Sequence, residues 1–235
     1  VLPLRDELPT RRVPVVTIAL IAVNVLVFLL EIALELQGEE HLEAFLWTWG
    51  TVPWELTHNF GPSPVLTLFT SMFLHGGFLH IGGNMLYLWI FGNNVEDEMG
   101  RWQFVIFYFL CGVLAGLAQV AAGPNEKIPA IGASGAIAGV LGAYLVLFPH
   151  ARVATLVIFG YFARVARLPA ALLLGFWFLL QLLNGFVALS SPFQSGGVAW
   201  FAHIGGFLAG LLLVRLFVRR RKRYIPPPLP PRPWY

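Results

Sequence analysis

Residues 131–150 read IGASGAIAGVLGAYLVLFPH, a run of twenty without one Asp, Glu, Lys or Arg. A helix needs roughly 20 apolar residues to cross a hydrocarbon core of about 30 Å, and this run meets that length. Comparable runs lie on both sides of it: Val13–Leu30, Phe78–Asn94, Phe104–Ala122, Leu168–Phe193 and Ser195–Val214. Of these only Phe78–Asn94 is a little short. The 235 residues are 57% hydrophobic and 11% charged, where a soluble domain carries about a quarter charged residues. The expected fold is therefore all-α, a polytopic membrane protein with six transmembrane helices that use most of the chain and leave room for one membrane domain.

Charge sets the expected orientation. With both termini in the cytoplasm, the inner side holds Arg5, Arg11, Arg12, Arg101, Arg152, Arg164, Arg167, Arg215, Arg219, Arg220, Arg221, Lys222, Arg223 and Arg232. That is fourteen of the fifteen Lys and Arg, and only Lys127 is left outside. An even number of spans allows both ends to satisfy this positive-inside asymmetry. The run Arg219–Arg223 acts as a stop and orientation signal and lies against anionic inner-leaflet lipid. A net charge of +3 does not point to nucleic acid, because the basic residues flank spans and form no patch of their own. Cys111 is alone, so it makes no intramolecular disulfide and belongs to no metal site.

Residues 1–12 read as a cytoplasmic lead and residues 13–217 as the membrane domain. The first run has no small-residue cleavage site and is read as a retained helix, with Pro14 in its first turn. Residues 37–64 form an outer loop carrying Phe45, Trp47, Trp49, Trp54 and Phe60, aromatic residues that favour the headgroup layer. Val65–Gly77 reads as a short helix or a re-entrant segment. A second helix ends at Gly92-Asn93-Asn94, and a tight turn over 95–101 opens the third. Residues 151–167 alternate basic and apolar side chains and are expected as an amphipathic helix on the inner face. Residues 218–235 are basic and then proline-rich; 225–235 favour a polyproline conformation, as a tail or as the ligand of a protein partner.

Polar side chains inside the spans carry the chemistry. Ser134 stands among Gly132, Gly135, Gly139 and Gly142, and Gly135 and Gly139 have the spacing that lets helix backbones approach closely. His203, Gly206 and Gly210 share one helical stripe. Packing of these two glycine faces brings Ser134 and His203, both at the outer ends of their helices, within hydrogen-bond reach. A histidine is the base that activates such a serine. The fourth, fifth and sixth spans hold no Asp or Glu, so a Ser–His dyad remains. His80 and Asn84, four apart on one face, and the Ser134 N–H are candidate donors to an oxyanion. Serine in a glycine-rich helix also serves packing, and Asn84 also serves interhelical bonding. His75 and His80 lack the H-E-x-x-H pattern, and neither a metal nor a cofactor is expected.

Over residues 5–217 the chain resembles the rhomboid intramembrane serine proteases. The resemblance rests on Gly132-x-Ser134-Gly135, on Ala202-His203-x-x-Gly206-x-x-x-Gly210, on His80-x-x-x-Asn84, and on Pro3-Leu-Arg-Asp-Glu with Pro9-Thr-Arg. It implies a six-helix bundle with Ser134 as nucleophile, His203 as base, and His80 and Asn84 in the oxyanion hole. It also implies substrates that span the membrane once and are cut near the outer boundary. The loop 37–64 corresponds to the family's membrane-embedded first loop and the fifth helix to its proposed lateral gate. Two positions depart from the pattern. Some members carry a tyrosine one turn after the nucleophile, where this chain has Ala138, so support for the His203 ring is sought from Tyr144 or a neighbour on the sixth helix. The first loop also has no Trp-Arg pair.

The expectation is thus an intramembrane serine endopeptidase of a bacterial inner membrane, with lipid and transmembrane proteins as partners. A rhomboid-like scaffold or chaperone subunit that holds transmembrane helices uncut is the alternative.

Overall fold

The computed structural model describes residues 2–190 and 198–218. The chain starts with strand β1 (Leu2–Asp6) and enters helix α1 (Val15–Glu35). Helices α2 (Glu39–Trp49), α3 (Pro53–His58) and α4 (Pro62–Thr70) follow, with a 3-10 turn at Ser71–Phe73. Helix α5 (Phe78–Tyr87) runs through a π-helical stretch, Leu88–Gly92, into α6 (Asn93–Met99). Then come α7 (Arg101–Ala122), α8 (Ser134–Leu147), the strands β2 (Arg152–Phe159) and β3 (Phe162–Pro169), and the helices α9 (Ala170–Ser190) and α10 (Trp200–Phe217).

Helices α1, α7, α9 and α10 are each long and apolar enough to cross a membrane. The segments Pro62–Phe73 and Phe78–Met99 pass that test together but bend by 82° at their break, as a broken span or a re-entrant segment does. The run that holds Ser134 forms α8, only 14 residues long. Every residue of α8 from Gly135 to Tyr144 is buried, so the other helices are arranged around it.

Glycine explains how closely α8 is held. A Cβ on Gly206 would lie 2.0 Å from the Gly135 carbonyl oxygen, and one on Gly210 would lie 1.9 Å from that of Gly139. From the other helix, a Cβ on Gly142 would lie 2.2 Å from the Phe207 carbonyl oxygen. The α8 and α10 backbones therefore touch directly, as small residues allow where lipid gives no hydrophobic drive to helix association. Helix α7 closes the other side, with Cys111 against Gly139 and Ala115 against Gly135.

Helix α1 shows how polar groups are accommodated. Its buried stripe, Thr17, Leu20, Asn24, Phe28 and Glu31, follows a helical period. The first turn has no cap of its own, since Pro14 precedes it. The Glu96 carboxylate serves instead, accepting from Val16 N (3.0 Å), Thr17 N (2.8 Å) and Thr17 Oγ1 (2.9 Å). A negative group at a helix N-terminus satisfies orphan N–H groups and complements the dipole.

Three segments differ from the sequence-based expectations. Residues 95–101 are not a tight turn: the helix continues to Met99, because Val95, Glu96 and Met99 face the core, and the chain turns at Gly100 with φ +85. Residues 37–64, read as an outer loop, hold the short helices α2 and α3 and the start of α4. Residues 151–167 are not helical; they form the β2–β3 hairpin, with β1 paired antiparallel along β2. Val153, Thr155, Val157, Ile158 and Val165 are β-branched and favour strand, Val153 and Thr155 are fully buried, and Gly160 makes the turn with φ +58. Arg152 and Arg167 fall on the face opposite Val153 and Thr155, and Arg167 pairs with Glu7 at 2.9 Å. The run Arg219–Arg223 and the tail 225–235 lie outside the described residues.

Candidate active site

Ser134 is the first residue of α8, and the chain leading to it is fixed by backbone bonds. Ala130 pairs with Thr51 in a two-way bridge, and Gly132 N donates to the Ser71 carbonyl at 2.8 Å. Gly132 then turns with φ +123, a conformation that L side chains avoid. The turn leaves Ser134 at a helix N-terminus, where the first N–H groups have no partner within the helix.

His203 lies in the first turn of α10. The glycine seam described above sets α10 against α8, and His203 Nε2 meets Ser134 Oγ at 2.8 Å. On its far side, His203 Nδ1 lies 2.9 Å from Gln181 Oε1 on α9. Gln181 Nε2 in turn donates to the Trp177 carbonyl at 3.0 Å. The Trp177 ring flanks His203 at 5.9 Å and the Trp200 ring stands at 88° to it. A carbonyl only accepts, so the Trp177 bond points the Gln181 nitrogen away from the histidine and the oxygen toward it. That oxygen only accepts, so Nδ1 carries the proton and Nε2 offers its lone pair to the serine hydroxyl.

The same reasoning applies to His80. Gly76 N donates to His80 Nδ1 at 3.3 Å, which leaves the proton on Nε2. A Cβ on Gly132 would lie 2.7 Å from His80 Nε2 and 3.7 Å from Ser134 Oγ. The donor and the hydroxyl thus face the same point, and only glycine leaves it open. Asn84, one turn further along α5, is buried, and its Nδ2 has no hydrogen-bond partner. His75 stands next to His80, the two ring centroids 5.0 Å apart with their planes inclined at 63°, and its backbone N is held by Glu31 Oε1 at 3.0 Å. Beside Ser134 lies a cavity of about 40 Å³ lined by Thr51, Ser71, Gln119 and Gly132. Most of its lining is apolar, but the Thr51, Ser71 and Gln119 side chains supply polar partners, and it is large enough for water.

The structure therefore gathers Ser134, His203 and His80 around one point. Gly135, Gly139, Gly206 and Gly210 line the seam that aligns the two helices. Tyr144 does not support the histidine ring: its hydroxyl donates to Asp6 Oδ2 at 2.9 Å, near the other end of α8. Sequence reasoning searched the spans for a carboxylate and passed over Gln181. The available signal was an amide four residues after a tryptophan, in a run that holds one other amide, Asn184. Chemically, the arrangement offers a hydroxyl beside a base with its Nε2 lone pair free, the His80 N–H donor opposite, and adjacent space for water.

The Rhomboid domain family model matches residues 62–220 of the chain. The chain is 29% identical over 151 residues to Rhomboid protein 1, mitochondrial, of Saccharomyces cerevisiae, covering 63% of this chain and 40% of that protein. It is 30% identical over 166 residues to RHOMBOID-like protein 5 of Arabidopsis thaliana, covering 68% and 48%. It is 26% identical over 195 residues to the Putative rhomboid protease YdcA of Bacillus subtilis, covering 77% and 87%. The chain spans less than half the length of the yeast and Arabidopsis relatives.

Proposed function

The chain belongs to the rhomboid family, and from that premise we propose that it is an intramembrane serine endopeptidase acting through Ser134 and His203. The observation that carries the reading is the 2.8 Å contact between Ser134 Oγ and His203 Nε2, with the histidine proton held on the opposite nitrogen. The substrate class is membrane proteins that span once, cut near the outer boundary. The setting is a bacterial inner membrane crossed six times by residues 13–217, with both termini in the cytoplasm.

The steps follow from the proton positions. Ser134 Oγ attacks the scissile carbonyl carbon as its proton passes to His203 Nε2. The oxyanion is met by His80 Nε2–H, which faces the same point as the Ser134 hydroxyl, and by the Asn84 Nδ2–H, a buried donor with no partner of its own. The tetrahedral centre collapses, the C–N bond breaks, and the imidazolium gives its proton to the departing amine. Water from the cavity beside Ser134 then attacks the acyl carbon as His203 takes its proton; the acyl C–Oγ bond breaks, the imidazolium returns the proton to Ser134 Oγ, and the acid product leaves.

The test is cleavage of a single-span reporter in lipid by the wild type, Ser134→Ala and His203→Ala, with unfolding midpoints measured for all three. Cleavage by the wild type alone, at equal stability, supports the reading. Cleavage by folded Ser134→Ala at the same bond overturns it. Well-folded wild type that cuts none of several reporters shifts the reading to a helix-binding scaffold.

A further inference from the structure

We propose that Gln181 is the positioning residue of this site: α9 fixes, through this one amide, which nitrogen of His203 carries the proton. The proposal rests on the protease reading above. A neutral imidazole can hold its proton on either nitrogen, and only the form with Nε2 free can accept from Ser134. Four groups form a relay with one direction throughout. Ser134 Oγ–H donates to His203 Nε2 (2.8 Å), His203 Nδ1–H donates to Gln181 Oε1 (2.9 Å), and Gln181 Nε2–H donates to the Trp177 carbonyl (3.0 Å). Reversing any one of these bonds would set two donors or two acceptors against each other. The anchor at the end of the relay is a backbone carbonyl, which cannot reverse.

Gln181 is also placed as a fixed part would be. It is 6% exposed, although α9 is the least buried of the four long helices. Residues Leu179, Leu180, Leu182 and Leu183 on either side are all exposed. Trp177, one turn earlier, contributes both the anchoring carbonyl and a ring against His203. A single stripe of α9 thus holds the base from two directions. An amide meets the need without a second charge: a carboxylate there would orient the ring equally but would be costly to bury in a span.

A residue that only fills space and one that accepts a hydrogen bond respond oppositely to two substitutions. Gln181→Met keeps length and packing and has no comparable acceptor. Gln181→Glu keeps an acceptor in place, whether ionised or protonated. The experiment compares both with wild type and Ser134→Ala in lipid, reading kcat and KM on the single-span reporter, the rate at which a fluorophosphonate labels Ser134, and the unfolding midpoint. The expected result for Gln181→Met is a kcat lower by about ten- to a thousand-fold. That stays under the roughly 10⁴-fold loss caused by a wrong tautomer in the soluble serine triad. KM should stay within about two-fold, labelling should slow in parallel, and Gln181→Glu should remain within about ten-fold of wild type. Wild-type kcat in Gln181→Met overturns the proposal, and so does a pattern in which Met is tolerated and Glu is not. If Gln181→Glu fails to fold, the Met variant decides alone. If the wild type neither cleaves nor labels, the protease reading falls first and this inference falls with it.

Discussion

The seam between α8 and α10 leaves no room for a side chain at Gly206, and Gly206→Ala measures what that closeness controls. The added Cβ would lie 2.0 Å from the Gly135 carbonyl oxygen, whereas ordinary contact begins at 3.4 Å. Both atoms are carried by helix backbone, so no rotamer relieves the clash, and the helices must separate locally by about 1.4 Å. Gly135 follows Ser134 directly and Gly206 is one turn beyond His203. That separation stretches the 2.8 Å contact to about 4 Å, past hydrogen-bond range. A displacement of about 1 Å costs roughly 10²-fold in rate, and overpacking costs about 1–3 kcal/mol in stability. Reporter cleavage in lipid should fall at least that far, and the unfolding midpoint should drop with it. Gly175→Ala is the control: a Cβ on that α9 glycine meets nothing within 4 Å, so activity should hold and stability rise by up to about 1 kcal/mol. Wild-type turnover in Gly206→Ala, with an unchanged midpoint, would refute the claim that backbone contact sets the site's geometry.

Three further outcomes are expected. Asn84→Ala, which removes a buried N–H donor with no partner of its own, should lower kcat by about ten- to a thousand-fold with folding little changed, read as kcat on the reporter beside the midpoint. Glu96→Ala deprives the first turn of α1 of three hydrogen bonds and should cost about 3 kcal/mol in unfolding; Glu96→Gln, which keeps one acceptor, should lose less. Burial pushes the Asp6 carboxyl from 3.8 up to about 6, against the lowering effect of the Tyr144 hydroxyl. Since the folded value lies above the unfolded one, the folded form binds the proton more tightly. Stability is then greatest below about pH 4 and falls as pH rises toward 6, by about 3 kcal/mol. In Asp6→Asn, whose oxygen still accepts from Tyr144, that part of the slope should vanish, as judged by the difference between the two unfolding profiles across pH.

The parts of the site legible in the sequence were those carried by spacing. Gly135 and Gly139 face Gly206 and Gly210 because residues three and four apart share a helix face, and Ser134 and His203 follow from that register. The α9 contribution was not legible, because a single glutamine in an apolar run has no period, and its partner depends on how α9 is rotated against α10. Tyr144 lies nearly three turns beyond Ser134 on α8, away from His203, and Asp6, 138 residues away in sequence, takes its hydroxyl. The hairpin at 152–169 was misread because charge alternation was weighed above β-branched residues and the Gly160 turn. Glu96 was missed because a carboxylate capping another helix resembles, in sequence, any charge at a span end.

The shortness of α8 acts as a depth gauge. Its 14 residues rise about 21 Å, against a hydrocarbon core of about 30 Å. If the Phe148–His150 end lies at one boundary, Ser134 stops about 9 Å below the other. The missing turns are made up by the irregular chain from Ala130 to Ala133, which is tolerated at that depth because protein surrounds it. On the proposed protease reading, the place where a substrate is cut, measured from the membrane surface, would follow from helix length more than from the recognised sequence. Moving a target bond by one helical turn along an otherwise unchanged span would carry it out of register with the serine.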